Sequence, residues 1–125
     1  MGIKLKQAGI NDFVILEKAQ QLGGTWRENS YPGAECDIPS ALYSYSFEPN
    51  PNWEHVWSKR DQIFQYQKDV AEKYGLMPHF RFDERVSNAT YQGKGQGDGH
   101  GKSHVEDPLW VITTQHTQYQ AQHFI

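Results

Sequence analysis

The sequence predicts an α/β fold, as an incomplete unit of helix, strand and hairpin, on three observations. Phe13-Val14-Ile15-Leu16 is a continuous apolar run bounded by turn signals, the pattern of a buried strand. Ile63, Tyr66, Val70 and Tyr74 follow an i, i+3, i+7, i+11 stripe, the pattern of a helix with one buried face. Trp110 and Ile112 alternate along a segment that reads as the first strand of a hairpin.

Taken in order, residues 2–9 read as the end of a helix. Ile3, Leu5 and Ala8 are its apolar members, and Gly9 suits the left-handed position that follows a helix. This helix has no N-cap, so its upstream turns are expected to be absent. Asp12 to Lys18 is predicted as a buried parallel strand. Residues 21–57 follow no period and are rich in Gly, Pro, Asn, Ser and aromatics, a composition typical of irregular segments that carry function. Residues 58–74 are predicted as a helix, with Ser58 as N-cap, Asp61 completing a capping box, and Gly75 ending it. Phe80 and Phe82 alternate with Arg81 and Asp83 as a strand, and residues 85–91 read as a second. Gly93, Gly95, Gly97, Gly99 and Gly101 alternate with polar residues, so 92–108 is predicted as a flexible Gly-rich loop. Leu109–Thr114 and Tyr119–Ile125 form the hairpin, with its second strand running into the last residue. Both ends therefore read as cut. No internal repeat is present.

Composition narrows the classes. A chain of 125 residues with 37% hydrophobic and 14% aromatic residues can bury one modest core. Twelve basic against fifteen acidic residues give −3, and no basic patch offers itself to phosphates, so no nucleic-acid partner is expected. One cysteine, Cys36, rules out an internal disulfide and reads as a small buried hydrophobe. The N-terminus lacks an apolar signal region, and no run reaches the ~18 apolar residues of a membrane span. A soluble, cytoplasmic protein is expected. His100 and His104 are four apart, but in a Gly-rich loop without a third ligand, so no metal site is expected.

The informative stretch is Leu22-Gly23-Gly24-Thr25-Trp26, then Asn29-Ser30-Tyr31-Pro32-Gly33-Ala34-Glu35-Cys36-Asp37-Ile38-Pro39-Ser40, continuing through Leu42-Tyr43-Ser44-Tyr45-Ser46-Phe47. It resembles the GGTW…N.YPG..CD..S segment of class B flavin monooxygenases, nearest the Baeyer–Villiger type. Ile15-Leu16-Glu17-Lys18 resembles the end of that family's second strand. The resemblance covers residues 2–91 and 109–125. It implies that the whole chain, 1–125, is one partial, Rossmann-like FAD-binding domain. It also implies an FAD- and NADPH-dependent enzyme that inserts one oxygen atom from O2 into a small ketone. Nitrogen or sulfur oxygenation, and an inactive remnant with at most weak binding, stay open as alternatives. The family's pyrophosphate-binding GxGxxG turn is expected before Met1, and its NADP and substrate domains after Ile125.

Site residues follow from the chemistry and from that resemblance. An acid at the end of the second strand of a dinucleotide-binding fold accepts from ribose hydroxyls, and Glu17 holds that place; an ordinary ion pair is the alternative. Gly23 and Gly24 let backbone approach a ligand closely, or simply make a turn. Thr25 lies beside them in the motif. Trp26 either lays its face along the cofactor or packs in a core. Asp37 lies between Cys36 and Ile38, and a carboxylate in an apolar stretch needs a partner or a shifted pKa; capping a turn is its other reading. By resemblance, Asp37 is the catalytic acid beside the flavin, orienting an arginine of the nicotinamide-binding domain. Tyr43 matches a tyrosine that approaches the flavin. Val86 matches a position whose backbone pairs with adenine.

Overall fold

The computed structural model describes residues 1–93 and 109–125. These residues divide into two units: Met1–Ile15 with Gln20–Phe80, and Leu16–Ala19 with Arg81–Ile125.

The first unit is built on helix α3, Arg60–Lys73. The predicted stripe is its buried side: Ile63 is 1% exposed, Val70 is buried, and Tyr66 and Tyr74 are half-buried. Ala71 joins them. Gly75 ends the helix at φ 61°, a conformation that favours glycine. The predicted capping box does not form, because α3 begins with Lys59 in the N-cap position and no side-chain cap. Ser58 is fully buried, with its hydroxyl 2.5 Å from that of Ser40, and Asp61 pairs with Arg60.

Helix α1, Gly2–Gln7, is the predicted helix tail; Ile3 is buried and Gly9 follows at φ 78°. Lys6 donates to the Gly75 carbonyl at 2.8 Å, tying α1 to the end of α3. The 12–18 strand shrinks to β1, Ile15–Leu16. It is not the buried strand expected: Val14 is 43% exposed. Among the described residues β1 pairs only with β2, Phe80–Arg81, and Phe13, Ile15 and Leu16 are half-buried rather than buried. β2 follows a 3-10 turn, Met77–His79, and is also short, since Asp83 sits at φ 59° and turns the backbone away. Residues 21–57 are irregular as predicted, apart from the short helix α2, Thr25–Glu28.

The second unit is a three-stranded antiparallel sheet of β3 (Val86–Gln92), β4 (Leu109–Thr114) and β5 (Gln118–Ala121), in that order. The predicted hairpin is therefore one half of a meander. Its centre is Ile112, buried opposite Ala89 on one side and Tyr119 on the other. The turn is held by Thr114, whose hydroxyl accepts from the Thr117 N–H at 3.0 Å and pairs with Glu84. β5 does not run to Ile125. Trp110 stands opposite Ala121, so only Leu109 of β4 remains to pair further, and Phe124 packs its ring on Trp110 instead, at 5.6 Å. Gln92 belongs to β3 rather than to the predicted Gly-rich loop, whose residues 94–108, with His100 and His104, lie outside the described residues. Among the described residues no helix is long and apolar enough to cross a membrane.

Two outcomes follow for the first unit. Replacing Ile63 by Ala empties its most enclosed apolar position and is expected to cost ~2–5 kcal/mol, read as a lowered urea midpoint. The second concerns Glu48, whose carboxylate accepts from Lys73 at 2.7 Å and from the Tyr74 hydroxyl at 2.9 Å. Those hydrogen bonds, that of Lys73 first, hold Glu48 below its ordinary value of 4.5, and raise Lys73 and Tyr74 in turn. A lowered folded pKa means that the stabilisation is present above pH 4.5 and is lost as pH falls through the folded value. Tm measured against pH should fall more steeply below pH 4.5 in the parent than in Glu48→Gln.

Candidate functional site

The glycine turn and α2 come first. Gly23 lies at φ 118° and Gly24 at φ 46°, so both favour glycine, but for different surroundings. A Cβ on Gly23 would fall on the Phe64 ring of α3. Gly23 is thus where the turn presses against the helix. A Cβ on Gly24 would meet nothing within 4 Å, so the outer side of the turn is open to a ligand. Gly24 is the N-cap of α2, and its carbonyl accepts from Arg27 at 3.1 Å and Glu28 at 3.0 Å. Thr25 is exposed and its carbonyl accepts from Asn29 at 2.9 Å.

Trp26 and Tyr43 are brought together. Both are half-buried; the indole N–H donates to the Tyr43 hydroxyl at 3.1 Å, and the rings meet edge to face at 5.6 Å. The indole is a donor only, so Tyr43 is the acceptor and keeps its own proton to give elsewhere. Trp26 is thus the hydrogen-bonded partner of the second predicted aromatic.

Asp37 stands on a bulge. Segment 34–36 pairs with 58–60: Arg60 N–H donates to Ala34 at 2.9 Å, Glu35 bridges Lys59, and Cys36 N–H donates to Ser58 at 3.0 Å. The next tie is Ser40 N–H to the Val56 carbonyl at 2.7 Å. Four residue steps, 36 to 40, thus oppose two, 58 to 56. The surplus pushes Asp37, Ile38 and Pro39 out of the pairing as an exposed loop, while Ala34, Cys36 and Ser40 stay buried. Cys36 is therefore the buried hydrophobe expected. Asp37 itself is exposed, with no hydrogen bond to another of the described residues. The loop also carries Tyr43, whose N–H donates to Pro39 at 3.2 Å and Ser40 at 3.0 Å. Ser58 went unrecognised in the sequence, because its place ahead of a helical stripe reads as a cap.

Glu17 and Val86 belong to the second unit. Glu17 is half-buried, and one of its carboxylate oxygens accepts from Ala19 N–H at 3.0 Å. Its backbone N–H donates to Arg81 at 3.0 Å and its carbonyl accepts from Glu84 at 2.9 Å, which sets it beside the entry to β3. Val86 opens β3 opposite Thr114, next to an irregularity between Val86 and Asn88, on an edge strand of its sheet. The seven predicted residues thus fall into two groups, one in each unit. A groove of ≈ 380 Å³ in the first unit, lined by Glu48, Trp53, Tyr66, Asp69 and Lys73 among others, includes none of them. Among the described residues no cluster of His, Cys, Asp and Glu could hold a metal ion.

The chain is similar to known proteins in sequence and in fold. Residues 1–60 match the NAD(P)-binding Rossmann-like domain. A Baeyer–Villiger monooxygenase of Streptomyces coelicolor is 51% identical over 89 residues, which are 71% of this chain and 17% of that protein. An FAD-binding monooxygenase of Aspergillus niger is 42% identical over 92 residues, 74% of this chain and 15% of that one. The structure of cyclohexanone monooxygenase from Rhodococcus sp. Phi1 bound to NADP+ superposes with a TM-score of 0.79 at 30% identity, covering 95% of this chain and 21% of that one. The chain spans about a fifth of the length of such relatives. With a Rossmann-like domain matched over residues 1–60 and these relatives beside it, the chain belongs to the Baeyer–Villiger family of flavin monooxygenases.

Proposed function

We propose that this chain supplies part of the FAD site of an NADPH-dependent monooxygenase that inserts one oxygen atom from O2 beside the carbonyl of a small ketone. The carrying observation is the Trp26–Tyr43 pair, hung by the Tyr43 backbone on the loop that presents Asp37. The residues fit a flavin. Gly24 leaves its outer side open, and Trp26 fixes the Tyr43 hydroxyl so that its proton is left to donate to a cofactor acceptor. Glu17 and Val86 would serve the adenosine half, Glu17 by accepting from ribose hydroxyls and Val86 through its backbone. Bound FAD would supply the redox chemistry, taking hydride from NADPH and activating O2.

In this reading Gly24, Thr25 and Trp26 bind and orient, and Tyr43 fixes the cofactor edge. Asp37 is the catalytic carboxylate. Its exposed carboxylate holds a cation, supplied from outside these residues, where negative charge develops during oxygen transfer.

Asp37 is tested against Glu28, an exposed neighbour that pairs with Arg27 at 2.8 Å. In a full-length monooxygenase carrying this segment, Asp37→Ala is expected to lower steady-state turnover at saturating NADPH by ~10²–10³. Glu28→Ala is expected to leave turnover nearly unchanged. Equal losses in the two variants, or full activity in Asp37→Ala, would show that Asp37 does not have this role.

A further inference from the structure

We propose that Ser58, acting through Ser40, is a positioning residue for Asp37. The proposal rests on the reading of Asp37 given above. The two hydroxyls close the base of the bulge. Ser40 and Ser58 are 2% and 1% exposed, and their oxygens are 2.5 Å apart. They lie between the two backbone ties that define the loop, Cys36 N–H to Ser58 and Ser40 N–H to Val56.

Ser40 Oγ stands 2.8 Å from the His55 carbonyl and 2.9 Å from the Val56 carbonyl. A carbonyl only accepts, so Ser40 spends its single proton on these two. Assigning the Ser40 proton to those carbonyls makes Ser58 the donor to Ser40. The order Ser58 to Ser40 to the 55–56 carbonyls is a one-way chain, and both hydroxyls are out of water. It locks the far end of the loop, at Ser40, to the segment that leads into α3, while the near end is locked at Cys36. Three residues, Asp37 to Pro39, are then held at both ends over a fixed span, so the carboxylate is confined to one side of the pairing.

The chain is asymmetric, and this makes it testable. Ser40→Ala removes the middle: Ser58 is left with a buried proton and no acceptor, and the 55–56 carbonyls lose a donor. Ser58→Ala removes only the head, and Ser40 keeps its two carbonyls. Ser40→Ala should therefore loosen the loop more than Ser58→Ala.

The experiment reads residue-resolved amide hydrogen exchange by NMR in this chain, with Ser46→Ala, an exposed site, as control. In Ser40→Ala the Cys36 and Ser40 amides are expected to exchange at least ~10-fold faster. In Ser58→Ala they should exchange several-fold faster, with the Ile63 amide of α3 unchanged in both. Unchanged exchange at Cys36 and Ser40 overturns the lock; so does acceleration of Ile63 by the same factor, which marks a general loss of stability. A second arm uses the full-length monooxygenase. Ser58→Ala is expected to lower kcat several-fold while the KM for NADPH stays put. Parent-like kcat in Ser58→Ala beside an impaired Asp37→Asn overturns the positioning role. Parent-like kcat in Asp37→Asn overturns instead the reading of Asp37 on which the proposal rests.

Discussion

The irregular pairing of residues 34–40 with 55–60 is the constraint on which the first unit depends. It fixes the start of α3, since Arg60 N–H is held by the Ala34 carbonyl rather than by a cap. It buries Ala34, Cys36 and Ser40 and leaves the acidic loop outside. Through Pro39 and Ser40 it suspends Tyr43, and through Tyr43 it reaches Trp26. From the other side, Phe64 on α3 meets Gly23, so the glycine turn is referred to the same helix. The aromatic pair, the glycine turn and the acidic loop are therefore all placed by α3 and the strand-like segment ahead of it.

A second set of ties secures the loop beyond Tyr43. Tyr66 of α3 accepts from the Tyr45 N–H at 2.9 Å and donates to the Glu48 carbonyl at 2.6 Å, closing the turn between them. Burial raises the Tyr66 phenol, which keeps it protonated and able to donate. Lys73 and Tyr74 hold the Glu48 carboxylate about two turns further along. The irregular 21–57 segment is thus fixed largely by side chains that reach out from α3. That is why a segment without period can still hold a defined shape.

Much of this was legible in the residues, and the limits have physical causes. The stripe from Ile63 to Tyr74 locates α3 because one buried face repeats with the helical period. Gly9 and Gly75 both mark helix ends, since each needs a positive φ. Ser58 misled, because a hydroxyl before a helix suits a cap equally well, and only the fold reveals that Ser40 claims it. The apolar run at 13–16 predicts burial, yet burial depends on what covers the strand and not on the run itself. β3 was read correctly, but its place beside β4 is a long-range pairing that local alternation cannot encode. For the site, the motif picked out Trp26 and Tyr43 one by one; their shared hydrogen bond, and the bulge under Asp37, are properties of tertiary contacts.

The roles proposed for Trp26, Tyr43 and Asp37 require this segment to lie against a flavin. The most direct measurement is the structure of a full-length monooxygenase carrying it, determined with FAD bound. The expected result places the flavin ring on the open side of Gly24, with the Tyr43 hydroxyl donating to it, the Asp37 loop at its edge, and Glu17 accepting from the ribose hydroxyls. A flavin bound elsewhere, with Trp26 and Tyr43 covered by protein instead, would contradict it.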